Sequence, residues 1–316
     1  MGRDAGRVMA LRGVVLSGTG GKWRVHTENQ IVSAVMRGRL KLAGRAEKLA
    51  VGDAVTLLEP RTGDDAGAYT IEEILPRRST LSRRNPETGF GERVVASNVD
   101  QVLVVFAAAR PEPNERMLDR FLAIAEGSAL AARIVINKMD LVDAGAARER
   151  FALYERLGYP VHFTSCKRRD GLDALASVLQ NRTSVLAGPS GVGKSSLMNT
   201  LYPGLDLRVA EISESVNKGR HTTVGAYIHP LPNGAYLVDT PGLREVGLWG
   251  FPATSLDTCF PELRPYLGTC RFGDCAHVTE PDCAIRAAVA DGSIDAGRYE
   301  SYCRMRQELV ESEKTY

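Results

Sequence analysis

Gly188-Pro189-Ser190-Gly191-Val192-Gly193-Lys194-Ser195 reads G-x-x-x-x-G-K-S, and its flanks decide what that means. The apolar run Ser184-Val185-Leu186-Ala187 before it suits a buried strand, and Ser196-Leu197-Met198-Asn199-Thr200-Leu201 after it can open a helix. Strand, glycine-rich loop and helix are the setting of a phosphate-binding loop. The glycines let the backbone curl until successive N–H groups point at phosphate oxygens, and the helix N-terminus adds partial positive charge. In that setting residues 188–196 wrap the phosphates, Lys194 reaches the outer ones, and the Ser195 hydroxyl sits on Mg²⁺. The chain is expected to bind a nucleoside triphosphate.

Upstream, Asp100 to Phe106 reads as a fully buried strand of a parallel sheet, and Met117 to Glu126 has helical spacing. The strand Arg133-Ile134-Val135-Ile136 then runs into Asn137-Lys138-Met139-Asp140. N-K-x-D at a strand end is the guanine-reading signature of GTP-binding proteins. The Asp140 carboxylate can accept from the ring N–H and the exocyclic amine of guanine; adenine presents the wrong donors and leaves polar groups unpaired. Asn137 can brace the neighbouring loop, and the Lys138 stem can lie along the base. A strand end at Val161 to Ser165 leads to Thr164-Ser165-Cys166-Lys167, where such proteins place a backbone N–H against the guanine carbonyl. Ser-Ala-Lys is commoner there, and Cys166 reads first as a packing residue. Asp170 is the expected N-cap of the next helix.

Beyond the phosphate loop, Gly219-Arg220-His221-Thr222-Thr223 suits a mobile switch. Thr222 is expected to cap Mg²⁺ and contact the terminal phosphate, with Thr223 the near alternative. The strand Ala235 to Val238 ends in Asp239-Thr240-Pro241-Gly242, where Asp239 would hold Mg²⁺ through water and the Gly242 N–H would sense the terminal phosphate. Many small GTPases have a water-orienting Gln directly after this motif. Here Leu243 stands there, and His221 is the candidate to position the water. Slow turnover, raised by a partner, is the expected behaviour.

Along the chain the order is base loop, second base loop, phosphate loop, first switch, second switch. That is a circular permutation of the usual order, which a doubly wound sheet tolerates. The second switch then leads directly into whatever follows residue 245, so nucleotide state could pass to the C-terminal domain.

The 316 residues suffice for two or three domains, and 44% apolar with 25% charged residues is ordinary for a soluble globular protein. No apolar run suggests a membrane span or signal peptide, so a cytoplasmic location is expected. Net charge is only +2, yet residues 1–50 carry ten Lys/Arg against three Asp/Glu. Arg77, Arg78, Arg83 and Arg84 form a second basic cluster. Both are read either as a nucleic-acid-facing surface or as scattered surface cations. Short alternating runs at Val14 to Leu16, Trp23 to Val25, Ile31 to Val35 and Asp53 to Leu58 suggest a small antiparallel barrel, OB-like or purely structural. Pro76 to Gly91 reads as an Arg-rich connector.

Near the other end, Cys270-x₄-Cys275-x-His277-x₅-Cys283 offers three thiolates and an imidazole, a set suited to a closed, structural, tetrahedral Zn²⁺ site. Cys259 and Cys303 lie outside it and read as buried. Ile285 to Ala290 and Tyr299 to Leu309 have helical patterns. The fold class is multidomain α/β: an OB-like barrel at 1–80, a circularly permuted P-loop GTPase domain at 81–248, and a mainly helical zinc domain at 249–316.

As a set, the barrel, the permuted motif order, G-R-H-T-T, D-T-P-G with a hydrophobic residue after it, and the Cys/His cluster resemble the ribosome small-subunit-dependent GTPase A (RsgA, or YjeQ) family. Arg298-Tyr299-Glu300-Ser301-Tyr302 is also similar. The resemblance implies an OB fold, a GTPase turning GTP into GDP and phosphate in late maturation of the small (30S) ribosomal subunit, and rRNA as the main contact. It further implies subunit-stimulated hydrolysis, with His221 matching the family's catalytic histidine. A monomer is expected. Two rivals stand beside it: an RNA-binding module whose nucleotide is structural, and a permuted GTPase of large-subunit assembly.

Overall fold

In a computed structural model of the chain, residues 11–28, 30–37, 49–60, 67–84, 92–205, 207, 226–239 and 252–314 are described. Five strands, β1 (Leu11–Thr19), β2 (Lys22–His26), β3 (Ile31–Met36), β4 (Ala54–Leu58) and β5 (Tyr69–Ile74), close into a barrel in the order β1-β2-β3-β5-β4. Alternate residues point inward, so Val15, Val25, Val32, Ala34, Val55, Leu57 and Ile71 form its core. The four expected strands are all present. β5 was missed because Glu72 and Glu73 interrupt its apolar pattern and Ile71 is its single buried residue.

The Arg-rich segment expected to be a connector instead holds a strand. β6 (Thr80–Arg84) pairs with β7 (Glu92–Ser97) in a two-stranded sheet. Nor does Arg77 face outward for a partner. Its Nε and Nη2 donate to the fully buried Asp53 at 2.7 and 2.8 Å, and the Ser97 hydroxyl and Ala50 N–H add to the same carboxylate at 2.7 Å each. Gly52 lies so close to the Ser97 carbonyl that a Cβ would come within 2.2 Å of it. Barrel and hairpin are thereby locked together.

The central sheet runs β10-β9-β8-β11-β13-β12, from β8 (Gln101–Ala107), β9 (Ala131–Asn137), β10 (Val161–Phe163), β11 (Thr183–Ala187), β12 (Tyr227–Pro230) and β13 (Tyr236–Asp239). All pairs are parallel except β12 with β13. Every residue of β8 is buried, as a strand covered on both faces requires. On one face, α1 (Glu115–Gly127) and α2 (Ala144–Arg156) pack Leu118, Leu122 and Phe151 against Val104, Phe106 and Ile134. On the other, α3 (Leu172–Leu179) and α4 (Lys194–Leu201) pack Leu175, Leu197 and Met198 against Leu103, Val105 and Val135. The residue before α3 is Gly171 at φ 69°, where a Cβ would meet the Phe163 carbonyl at 2.1 Å, so Asp170 is not the cap. Its carbonyl instead accepts from the Ser165 N–H at 3.1 Å. The barrel sits over β12 and β13, where His26 Nδ1 meets the Tyr236 hydroxyl at 2.9 Å and Arg24 donates to the Tyr227 hydroxyl at 3.1 Å.

The C-terminal part has 3₁₀ turns at Ala253–Cys259 and Arg264–Tyr266, then α5 (Ala284–Ala290) and α6 (Ala296–Lys314). Its core (Leu256, Phe260, Leu263, Ile285, Tyr302 and Met305) is continuous with Ala123 and Ile124 of α1. Cys259 is buried in it, whereas Cys303, expected to be buried, is partly exposed on α6. Arg298 of α6 is 2% exposed. It donates to Asp119 of α1 at 2.8 Å and to Glu262 at 2.7 Å, and stacks over Phe260 with its carbon 4.7 Å from the ring centre. The Ser301 and Tyr154 hydroxyls complete the Asp119 carboxylate at 2.5 and 2.9 Å. Exposed pairs around this centre, such as Arg116–Glu300 and Arg120–Glu308, contribute little by comparison.

Removing one member of such a cluster strands the others as buried charge. Arg298→Met is expected to lower unfolding stability by about 3–5 kcal/mol, measured by urea denaturation; a loss below about 1 kcal/mol would contradict the packing described.

Candidate nucleotide site and metal centre

Strand order reverses between β8 and β11: β9 and β10 lie outward on one side, β13 and β12 on the other. In open α/β sheets the crevice beyond the strand ends at such a point is where ligands bind. Residues 188–193 follow β11 and occupy that position, leading into α4. Gly188, at φ 130°, lies over β8, where a Cβ would sit 2.1 Å from the Val105 carbonyl. Gly193, at φ 92°, lies against Asn137, where a Cβ would sit 2.6 Å from the side-chain amide. These two close approaches dictate glycine.

The base loop after β9 is tied directly to the phosphate loop. Asn137, 2% exposed, donates through Nδ2 to the Val192 carbonyl at 3.0 Å. Its Oδ1 accepts from the Thr164 hydroxyl at 3.3 Å and the Cys166 thiol at 3.6 Å, so the second base loop is joined to the same amide. Lys138 is left-handed at φ 62°, and its Nζ donates to the Gly191 carbonyl at 2.7 Å and to the Arg110 carbonyl. Met139 is buried, and its N–H donates to the Thr164 carbonyl at 3.1 Å. The Ser165 hydroxyl donates to Asp140 at 2.6 Å, and this bond, aided by Lys167 and Arg168, holds the Asp140 carboxyl below the usual range. Cys166 packs against the α3–α4 core, and burial pushes its thiol up, away from reactivity.

Within the phosphate loop, Lys194 is 7% exposed, and its Nζ donates to the Gly188 and Pro189 carbonyls at 2.8 and 2.6 Å. Ser190 and Gly191 are exposed, Val192 is packed in the core beneath, and Ser195 is buried one residue into α4, followed by half-buried Ser196. Asp239 ends β13, whose Val238 lies beside Val185 of β11, so it leaves the sheet on the same edge as the phosphate loop. His221, Thr222, Thr223, Gly242 and Leu243 lie outside the described residues. Sequence reasoning missed the loop between β8 and α1, although it leaves a strand at the switch point. Arg110 supplies a carbonyl to Lys138, and Pro111 lies 3.8 Å from where a Cβ on Gly191 would be.

The ligand atoms of Cys270, Cys275, His277 and Cys283 lie within 4.8 Å of one another. Cys270 Sγ and Cys283 Sγ are 3.8 Å apart, and each is 3.5 Å from His277 Nδ1. Tetrahedral coordination with metal–sulfur arms of about 2.3 Å has edges of about 3.8 Å, so these spacings fit a zinc ion better than hydrogen bonds between thiols. Around them, Asp257 approaches His277 Nε2 at 3.5 Å, the carboxylate support a ligating imidazole needs. His277 is left-handed at φ 62°, and its carbonyl accepts from the Tyr299 hydroxyl at 2.7 Å. Burial alone would raise the Glu280 carboxyl, but backbone N–H groups of Ala276, Val278 and Thr279 outweigh it and hold the group at about 2. The ligand loop is thus pinned from α6 and from within.

A family model for the RsgA GTPase matches residues 74–249. A protein of Gemmatimonas aurantiaca called small ribosomal subunit biogenesis GTPase RsgA is 58% identical over 300 residues, 94% of this chain and 97% of that one. A Shewanella oneidensis protein of the same name is 41% identical over 77% of this chain and 69% of that one. Among solved structures, YjeQ from Thermotoga maritima aligns with a TM-score of 0.76 at 35% identity, covering 96% of this chain and 99% of that one. YloQ, described as a circularly permuted GTPase, aligns at 0.74 with 27% identity, covering 98% and 99%.

Cys275→Ser is expected to abolish stoichiometric zinc in metal analysis and to raise hydrogen exchange across residues 264–290, while the central sheet stays protected.

Proposed function

The chain belongs to the RsgA GTPase family, and on that footing we propose that it hydrolyses GTP as a nucleotide switch in late maturation of the small ribosomal subunit. The observation that carries the reading is the Asn137–Val192 hydrogen bond, which joins a guanine-type loop to a phosphate loop at one sheet edge. Asp140 reads guanine, with Asn137, Lys138, Met139, Ser165, Cys166 and Lys167 forming the base side. Residues 188–196 wrap the phosphates, and Lys194 offsets their outer charge. Ser195, Thr222 and water-linked Asp239 would hold the Mg²⁺ that arrives with GTP and neutralises charge between its outer phosphates. Gly242 contacts the terminal phosphate, and His221 positions the attacking water.

The division follows the sequence: barrel at 1–80, nucleotide domain at 81–248, zinc domain at 249–316. Cys270, Cys275, His277 and Cys283 hold one structural Zn²⁺. The barrel faces rRNA, supported by exposed Arg12 and Lys22. Among the described residues no helix is long and apolar enough to cross a membrane. We place the protein in the cytoplasm, acting as a monomer.

Phosphate release, measured with and without purified small subunits, tests the whole. Stimulation by small but not large subunits is expected; its absence would favour an RNA-binding module with a structural nucleotide. His221→Ala should keep GTP binding but lose stimulated turnover by roughly 10²–10⁴-fold, and full activity would move the water-positioning role elsewhere. Asp140→Asn should weaken GTP binding roughly 10²-fold or more and favour xanthosine triphosphate, since it swaps an acceptor for a donor. Unchanged GTP affinity would remove Asp140 from base reading.

A further inference from the structure

The strand ends opposite the nucleotide loops hold a separate group of cations. Gln101 opens β8, and its Nε2 donates to the Ser184 hydroxyl at 2.9 Å and the Val178 carbonyl in α3 at 3.0 Å. That leaves Oε1 as its acceptor. Onto this one neutral oxygen converge Arg133 Nε from β9 at 2.9 Å and Arg182 Nη1, just before β11, at 3.4 Å. Among the described residues neither guanidinium has a carboxylate partner. The neighbouring acid, Asp100, is engaged by Arg78 at 2.9 Å and by the Thr183 N–H at 2.8 Å.

A third polar group lies farther along the same sheet face, toward the nucleotide loops. His162 of β10 lies beside Val135 in the strand register, which puts it on the same sheet face as Arg133. Its Nε2 is buried and has no hydrogen-bond partner. Burial, and then Arg133, pull His162 below its ordinary range; burial, and then Arg182, do the same to Arg133. Since α3 ends at Leu179, one cation here would complement the helix C-terminus. That role does not explain two guanidiniums repelling each other over one amide oxygen. Two neighbouring guanidiniums with no carboxylate between them favour an anion there, and forked guanidiniums fit phosphate oxygens.

We propose that Arg133 and Arg182 form a phosphate-binding site beneath the end of α3, at the sheet edge opposite the nucleotide loops. Its ligand is a phosphate group, free or carried on an RNA backbone. The site is separate from GTP hydrolysis, so either reading can fail without the other.

The test uses the full chain saturated with GDP and Mg²⁺, which fills the nucleotide site. Thermal unfolding is followed in inorganic phosphate and in chloride at equal ionic strength. Wild type is expected to gain a saturable rise in Tm specific to phosphate. Arg182→Gln, at an exposed position, should weaken that response roughly ten-fold or more while holding or raising Tm in chloride, because it relieves repulsion. Arg133→Gln should weaken the response likewise; if it fails to fold, Arg182→Gln decides alone. A phosphate response in Arg182→Gln equal to wild type would overturn the proposal. So would a lowered Tm in chloride with that response intact, which would leave Arg182 as a helix-end cation. A short single-stranded RNA replaces phosphate in a second arm. Stabilisation that Arg182→Gln removes identifies a backbone phosphodiester, and stabilisation by inorganic phosphate alone identifies a small phosphate; both support the site.

Discussion

The side-chain amide of Asn137 is the point at which the two halves of the nucleotide site meet. It donates to the phosphate loop through the Val192 carbonyl and accepts from the second base loop through Thr164. Because Asn137 is buried, losing either partner would leave a polar group unpaired, at a cost of roughly 1–3 kcal/mol. The contact also explains a backbone choice elsewhere, since Gly193 can approach the amide only without a Cβ. The bond joins loops at one sheet edge and is indifferent to which loop comes first in the chain. That indifference lets the motifs appear in permuted order without loss of the site.

The same chemical device recurs at both junctions of the nucleotide domain. Asp53 is buried where barrel meets hairpin, and receives Arg77, the Ser97 hydroxyl and a backbone N–H. Asp119 is buried where α1 meets the C-terminal part, and receives Arg298, the Ser301 hydroxyl and the Tyr154 hydroxyl. Such clusters add less net stability than apolar packing of equal volume, but they tolerate only one relative placement of their members. The α1 helix has a second role. The loop before it touches Lys138 and lies beside Gly191, while its body carries Asp119 and Ile124. One rigid element therefore contacts the nucleotide loops at one end and the C-terminal part along its length.

What could be read in advance was local. The glycine loop, N-K-x-D and the Cys/His spacing are short patterns in which neighbouring residues determine the geometry, and the buried strands announce themselves by apolar runs. What escaped depends on partners far along the chain. The basic Arg77–Arg84 stretch was read as an outward surface or a linker, yet Arg77 is held by an aspartate 24 residues earlier. The β5 strand carries two glutamates that suit an exposed barrel face, and only closure of the barrel reveals it. Asp170 satisfies a capping rule, but the tight approach to Phe163 hands the position to Gly171. No spacing rule could bring Arg133 and Arg182 onto one amide oxygen, because the sheet alone makes them neighbours.

Placing β11 after β8, β9 and β10 also has a consequence for birth on the ribosome. β8 is a central strand, flanked by β9 on one side and β11 on the other. Its β9 side can be satisfied early, with α1 and α2 already made. Its β11 side stays open until residues 183–187 emerge, a delay on the order of ten seconds at roughly 5–20 residues per second. During that interval the nascent chain presents a long apolar edge ready to pair with any strand that passes. The permuted gene order thus carries a vectorial hazard that a chain beginning with its phosphate loop would meet at a different strand.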